Sequence, residues 1–171
     1  VFLHPEILYG PQSVSLPVLE ADNPQVIKPV FNWHSSPKEI KNKLDLELTE
    51  KFNSRINEII RKLESKAAIQ LIIRFPDINS STLAEKLNIP RTYLHYFFKY
   101  HSDSSFVSYR SKIRVFHAIN KMQEGFLSKN TMDALARESG FSSYNPFYTA
   151  FKLEMGLGPS EILDQIKRRS N

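Results

Sequence analysis

The second half of the chain repeats itself. Leu83-Ala84 recurs as Leu135-Ala136, Ile89 as Phe141, Leu94 as Phe147, and Phe98-Lys99 as Phe151-Lys152, at an offset of 52 residues that becomes 53 after one insertion. A duplication constrains the fold more than composition does, because each copy must close the same kind of small core. In each copy a small residue, Ala84 or Ala136, lets two helices approach. The apolar residue after the corner, Ile89 or Phe141, fills the space between them. Gly140 stands where the chain must turn sharply, and glycine reaches positive φ at little cost. A short helix, a tight corner and a second helix make the helix-turn-helix pattern.

The elements around the repeat read as all-α. Ser80 or Ser81 caps a helix over Thr82–Leu87, Asn88-Ile89-Pro90 makes the corner, and Arg91–Tyr100 forms the next helix. A longer helix runs from about Ser104 to Gln123 and ends near Gly125, a C-cap residue. Thr131 or Asn130 caps a short helix to Glu138, and Tyr144–Glu154 forms the last helix of the second unit. Six of the ten prolines fall within the first 37 residues, so residues 1–35 read as an extended Pro-rich linker with few backbone hydrogen bonds. Ser36-Pro37-Lys38-Glu39 reads as a capping box, followed by Ile40, Leu44, Leu48, Phe52, Ile56 and Ile60 at i+4 spacing. This is an amphipathic helix within residues 36–75, with a break and new cap expected at Thr49. Its stripe packs on its own domain or, alternatively, forms a homodimer seam over residues 36–65. Residues 79–171 form the double helix-turn-helix domain.

Charge follows the same division. Residues 1–79 carry ten basic and ten acidic side chains, whereas residues 80–171 carry 13 basic against eight acidic, so the whole net charge of +5 belongs to the C-terminal half. Clustered positive charge is the footprint of a nucleic-acid binder, because each cation near a phosphate releases counterions. With no cysteine, a disulfide framework and a thiolate metal site are excluded. No apolar run approaches the roughly 20 residues of a membrane span. The chain lacks a phosphate-binding glycine loop and a nucleophile elbow, and no carboxylates are patterned as a pair, so neither an enzyme nor a cofactor is expected. His101 and His117 have no second ligand at metal spacing and read as structural.

Two corners about 52 residues apart, joined by one long helix, resemble the AraC-type family of bacterial transcription regulators over roughly residues 79–165. The most specific part is Gly140-Phe141-Ser142, then Phe147, Phe151-Lys152 and Gly156-Leu157-Gly158-Pro159-Ser160-Glu161. The chain departs from the family pattern at Asp103, where Gly is frequent, and at Tyr96 and Thr149, where Arg is frequent. The resemblance implies a cytoplasmic module that binds double-stranded DNA and communicates with RNA polymerase, without catalysis. Phe2-Leu3-His4-Pro5-Glu6-Ile7-Leu8-Tyr9-Gly10 is similar to the segment after the last membrane helix in Bacteroidetes membrane-bound members. That similarity implies a parent protein anchored in the inner membrane upstream of Val1.

A recognition helix meets base edges with its N-terminal part and exposed face, while neighbouring cations hold phosphates. In the first unit Leu94, Phe97 and Phe98 are expected inside, which leaves Arg91, Thr92, His95 and Tyr96 for bases. The matching second-unit positions are Ser143, Tyr144, Asn145, Tyr148 and Thr149, with Tyr148 divided between packing and contact. Arg91 suits guanine and Asn145 adenine, as bidentate partners. Lys99, Arg110, Lys112, Arg114 and Lys152 are the phosphate candidates. The competing reading is a helical protein-interaction module without specific DNA binding, distinguished by affinity that does not fall with salt.

Overall fold

Asn42, not Ser36, opens the first helix. In the computed structural model, which describes residues 26–170, its side-chain oxygen accepts the Leu44 N–H and starts α1 (Lys43–Asn53). The expected capping box at Ser36 fails for a tertiary reason. The Lys38 N–H donates to the Tyr100 carbonyl at 2.9 Å, and its ammonium reaches the Ser102 carbonyl and the Asp103 carboxylate, so this stretch is held against the rest of the molecule. The break also moves from Thr49 to Ser54–Arg55. Thr49 lies inside α1, its hydroxyl bonded to the Asp45 carbonyl at 3.1 Å and to the Tyr96 hydroxyl at 2.9 Å. Beyond the break come α2 (Ile56–Leu63) and α3 (Lys66–Arg74), the latter capped by the Ser65 hydroxyl.

The repeat follows as two units. Asn79 caps α4 (Ser80–Lys86), which turns into α5 (Arg91–Tyr100). Ser105 caps the linking helix α6 (Phe106–Gln123), which ends before Gly125 at φ 79. After a short 3-10 turn at Phe126–Ser128, Thr131 caps α7 (Met132–Glu138), and α8 (Tyr144–Met155) and α9 (Pro159–Ser170) complete the order. No strand is present among the described residues, in line with the all-α expectation. The two corners close identically. The Ile89 N–H donates to the Ala84 carbonyl at 2.8 Å and the Phe141 N–H to the Ala136 carbonyl at 2.9 Å, with both alanines fully buried.

Two cores result, and α6 belongs to both. The first collects Phe52, Ile56, Ile59, Leu63, Ala68 and Ile72 from α1–α3 with Leu83, Leu94 and Phe97 of the first unit. It takes Tyr109 and Ile113 from α6, and the Tyr109 hydroxyl donates to the Leu63 carbonyl at 2.6 Å. The second core is built from Val115, Ala118, Ile119 and Met122 of α6 with Leu135, Phe147, Phe151 and Ile162. One rigid helix buried at both ends sets the relation between the two units.

Residues 26–35 carry no helix and are docked on the helical body. Ile27 enters the second core, and its backbone N–H and carbonyl form a pair of bonds with the Asn120 amide at 2.8 and 2.9 Å. Farther along, Trp33 stacks on Phe31 at 5.1 Å, lies 5.0 Å from Phe97, and donates its indole N–H to Glu64 at 2.7 Å. Trp33 and Ser102 form an isolated antiparallel bridge, and the His34 N–H donates to the His101 carbonyl. The strap thus runs along α6 from one core to the other. Proline spacing in the sequence could report only its lack of helix, not the apolar side chains that dock it. Residues 1–25, including the expected membrane-proximal stretch 2–10, lie outside the described residues.

Candidate nucleic-acid interface

On α5 the helical period separates two faces. Leu94, Tyr96, Phe97 and Tyr100 are buried, whereas Arg91, Thr92, His95 and Lys99 are exposed along one side. Arg91 reaches the Glu85 carboxylate at 3.0 Å across the corner, with both side chains open to solvent. Such a pair is weakly held, so the guanidinium can exchange partners. Tyr96 does not belong to this face. It is 1% exposed, its ring 4.6 Å from Phe52, which corrects the expectation that it touches bases.

The equivalent surface of α8 is more open. Asn145, Tyr148, Thr149 and Lys152 are exposed, while Phe147, Ala150 and Phe151 face the core and Ser143 and Tyr144 are half-buried. Tyr148 stands between its two expected roles, 41% exposed and with its ring 6.1 Å from that of Tyr144. The Thr149 hydroxyl bonds back to the Asn145 carbonyl at 3.1 Å. Pro146 sits in the first turn of α8, where its missing N–H leaves no bond unmade.

The expected phosphate cations divide by burial. Arg114 is only 4% exposed and donates to the carbonyls of Ile72, Phe75 and Pro76 at 3.0, 2.9 and 2.9 Å. They lie at and just beyond the C-terminal end of α3, where the Phe75 carbonyl also accepts the Ile78 N–H, and a cation there meets the negative end of the helix dipole. Burial, helped by nearby Arg110, pushes its pKa down to about 10, so it stays charged at neutral pH. Arg114 is therefore a structural clamp and not a phosphate contact. Arg110 donates to the Ile78 carbonyl at 2.6 Å and Lys112 to the Val30 carbonyl at 3.3 Å, so both are half-committed to the fold. Lys99 and Lys152 remain near the recognition faces: Lys99 is 2.7 Å from Asp45, and Lys152 is 4.0 Å from Glu161.

Two cations escaped the sequence reading. Lys62 of α2 donates to the Asn88 carbonyl at 3.0 Å, and the Arg55 guanidinium lies 5.9 Å from the Tyr93 ring centre. Both border the first corner, yet they belong to the half of the chain with no excess positive charge. Only the packing of α2 brings them there. Among the described residues no group of acidic or histidine side chains could hold a metal ion, and no helix is long and apolar enough to cross a membrane. His101 is fully buried with Nδ1 2.7 Å from the His34 carbonyl oxygen, a structural placement.

Comparison with known proteins agrees with this geometry. A helix-turn-helix domain family model matches residues 83–165. The fold is similar to that of the C-terminal domain of AraT, a response regulator from Geobacillus stearothermophilus, with a TM-score of 0.50 and 24% identity over 63% of this chain and 84% of that one. No curated protein matches the chain. Residues 83–165 thus carry a helix-turn-helix domain, in agreement with the AraC-type resemblance read from the sequence.

Proposed function

We propose that this chain is a transcription-regulator output module in which α5 and α8 read two successive major grooves on one face of a duplex. The observation that carries the reading is the duplicated corner, which presents two equivalent helices with polar outer faces at the two ends of α6. The 18 residues of α6, rising 1.5 Å each, give a rod of about 27 Å, near the roughly 34 Å of one DNA turn. Arg91, Thr92 and His95 then face one element of the site; Ser143, Tyr144, Asn145, Tyr148 and Thr149 face the other. Lys99, Lys152, Arg110 and Lys112 lie toward the phosphates. RNA polymerase as a downstream partner, a homodimer through residues 36–65, a cytoplasmic location and a tether upstream of Val1 are further parts of this reading. Sedimentation and the upstream coding sequence test the homodimer and the tether.

The deciding experiment selects bound fragments from random duplex DNA with the wild type, Arg91→Ala and Asn145→Ala. Two unequal elements about 10 base pairs apart are expected. Each variant should relax one element only, at about 1–3 kcal/mol of lost discrimination. If Asn145→Ala enriches the same sequences as the wild type with equal stringency, α8 is a phosphate clamp and the two-groove reading is wrong. Binding that is flat in salt would instead favour the protein-interaction module.

A further inference from the structure

Equivalent positions of the repeat differ in one respect. Tyr96 and Thr149 match at an offset of 53 residues, as do Lys99 and Lys152. In the second unit both positions are open, with Lys152 52% exposed and no closer than 4.0 Å to its acidic neighbour. In the first unit both are engaged by α1. The Thr49 hydroxyl is 2.9 Å from the Tyr96 hydroxyl, and the Phe52 ring lies against Tyr96. The Asp45 carboxylate accepts from Lys99 Nζ at 2.7 Å and from the Tyr100 hydroxyl at 2.6 Å. A carboxylate on Lys99 occupies the place in which a DNA phosphate oxygen would otherwise accept.

The build of α1 suits an element that lets go. Phe52 is its one buried residue, whereas α2 buries Ile56, Ile59 and Leu63. Leu44 and Leu46 stand 70% and 59% exposed, so the apolar hold of α1 on the core is confined to Phe52 and the half-buried Leu48. The break at Ser54–Arg55 allows α1 to move while α2 keeps its place. Its charge adds to the effect: Asp45, Glu47 and Glu50 outnumber Lys43 and Lys51, which sets negative charge beside a face meant for phosphates.

We propose that α1 is an autoinhibitory lid on the first recognition helix, with Asp45 competing against duplex phosphate for Lys99. This rests on the reading of α5 as a recognition helix. Binding of the duplex displaces α1 from α5, and the first unit binds more weakly than the second until that happens. Any partner or signal that holds α1 away raises the affinity of the whole chain.

The test uses the full chain and a duplex enriched from the random library, titrated at several salt concentrations, with Asp45→Asn, Arg91→Ala and the double variant. Asp45→Asn should bind about three- to tenfold more tightly, with a salt dependence steeper by about one phosphate contact. Arg91→Ala should weaken binding in both backgrounds. If Asp45→Asn binds no better while Arg91→Ala still weakens binding, α5 reads DNA and the lid is wrong. If Arg91→Ala is silent in both backgrounds, α5 is not a recognition helix and the lid falls with that reading. Amide exchange gives an answer that needs no variant: residues 43–53 should exchange faster in the wild-type complex than in the free protein, and equal or slower exchange overturns the proposal.

Discussion

Asn88 and Gly140 occupy the same place in the two corners and share a left-handed backbone, with φ of 56 and 87 degrees. Each N–H donates three residues back, Asn88 to Glu85 and Gly140 to Arg137. The residues differ because their surroundings differ. A Cβ on Gly140 would lie 2.6 Å from the Ile73 carbonyl oxygen, 3.0 Å from Arg114 Nε and 3.2 Å from the Ile72 carbonyl oxygen. The second corner is pressed onto the end of α3. The first accommodates a side chain, and asparagine tolerates the left-handed region better than most residues.

Substitution at the two corners should therefore give unequal costs. Gly140→Ala is expected to lose about 3 kcal/mol or more, since a backbone carbonyl cannot move aside cheaply. Asn88→Gly should change stability by less than about 1 kcal/mol, relief of backbone strain being offset by a freer unfolded chain. Urea unfolding of both variants measures this, and equal losses would show that the close approach to α3 is not what requires glycine.

Arg114 should behave as part of the core. Arg114→Met takes the side-chain donor from three carbonyls, of which Phe75 keeps the Ile78 N–H, and is expected to cost about 2–4 kcal/mol. Arg114→Lys should recover only part, because an ammonium lacks the planar fork. Under conditions where both variants are folded, duplex affinity should stay within about twofold of the wild type, whereas loss of a phosphate contact would lower it and flatten the salt dependence by about one unit.

The strap is held at two separate points, and each can be released alone. Asn120→Ala removes both bonds to the Ile27 backbone and should cost about 1–2 kcal/mol. Trp33→Ala, which empties an aromatic cluster at the other end, should cost about 2–3 kcal/mol. Amide exchange is the discriminating readout: Asn120→Ala should speed exchange around residue 27 while the His34 amide stays protected. Uniform loss across residues 26–35 would mean that the strap undocks as one piece.

Burial holds the His101 imidazole below its ordinary pKa of 6.5, even though the bond to the His34 carbonyl works the other way. The unfolded imidazole takes up a proton near 6.5 and the folded one does not, so in that window the unfolded state binds more protons and stability falls as the pH drops. His117, also depressed chiefly by burial, acts in the same direction. Asp45 and Asp103, lowered by their bonds to Lys99 and to His34, titrate in a more acidic range, below their ordinary 3.8. Replacing His101 by Gln should flatten the stability profile as the pH falls below about 6.5. An unchanged slope would assign it to other groups.

What the sequence determined was local and periodic. The cap at Thr131, the helix end near Gly125, the two corners and the inward positions Leu94, Phe97, Phe147 and Phe151 each depend on neighbours within a few residues, so they were legible from the chain alone. The duplication added what a single corner could not: a fold class and a set of equivalent positions. Tertiary structure decided the rest, through pairs that no short window contains. Asp45 meets Lys99, Ile27 meets Asn120 and Arg114 meets Ile72 across 54, 93 and 42 residues. Contacts of this kind, Phe52 and Thr49 on Tyr96 among them, took Tyr96 and Arg114 away from the DNA face and drew the strap onto α6. Helical period tells which residues share a face, but whether that face meets water, DNA or another helix is fixed only by what packs beside it.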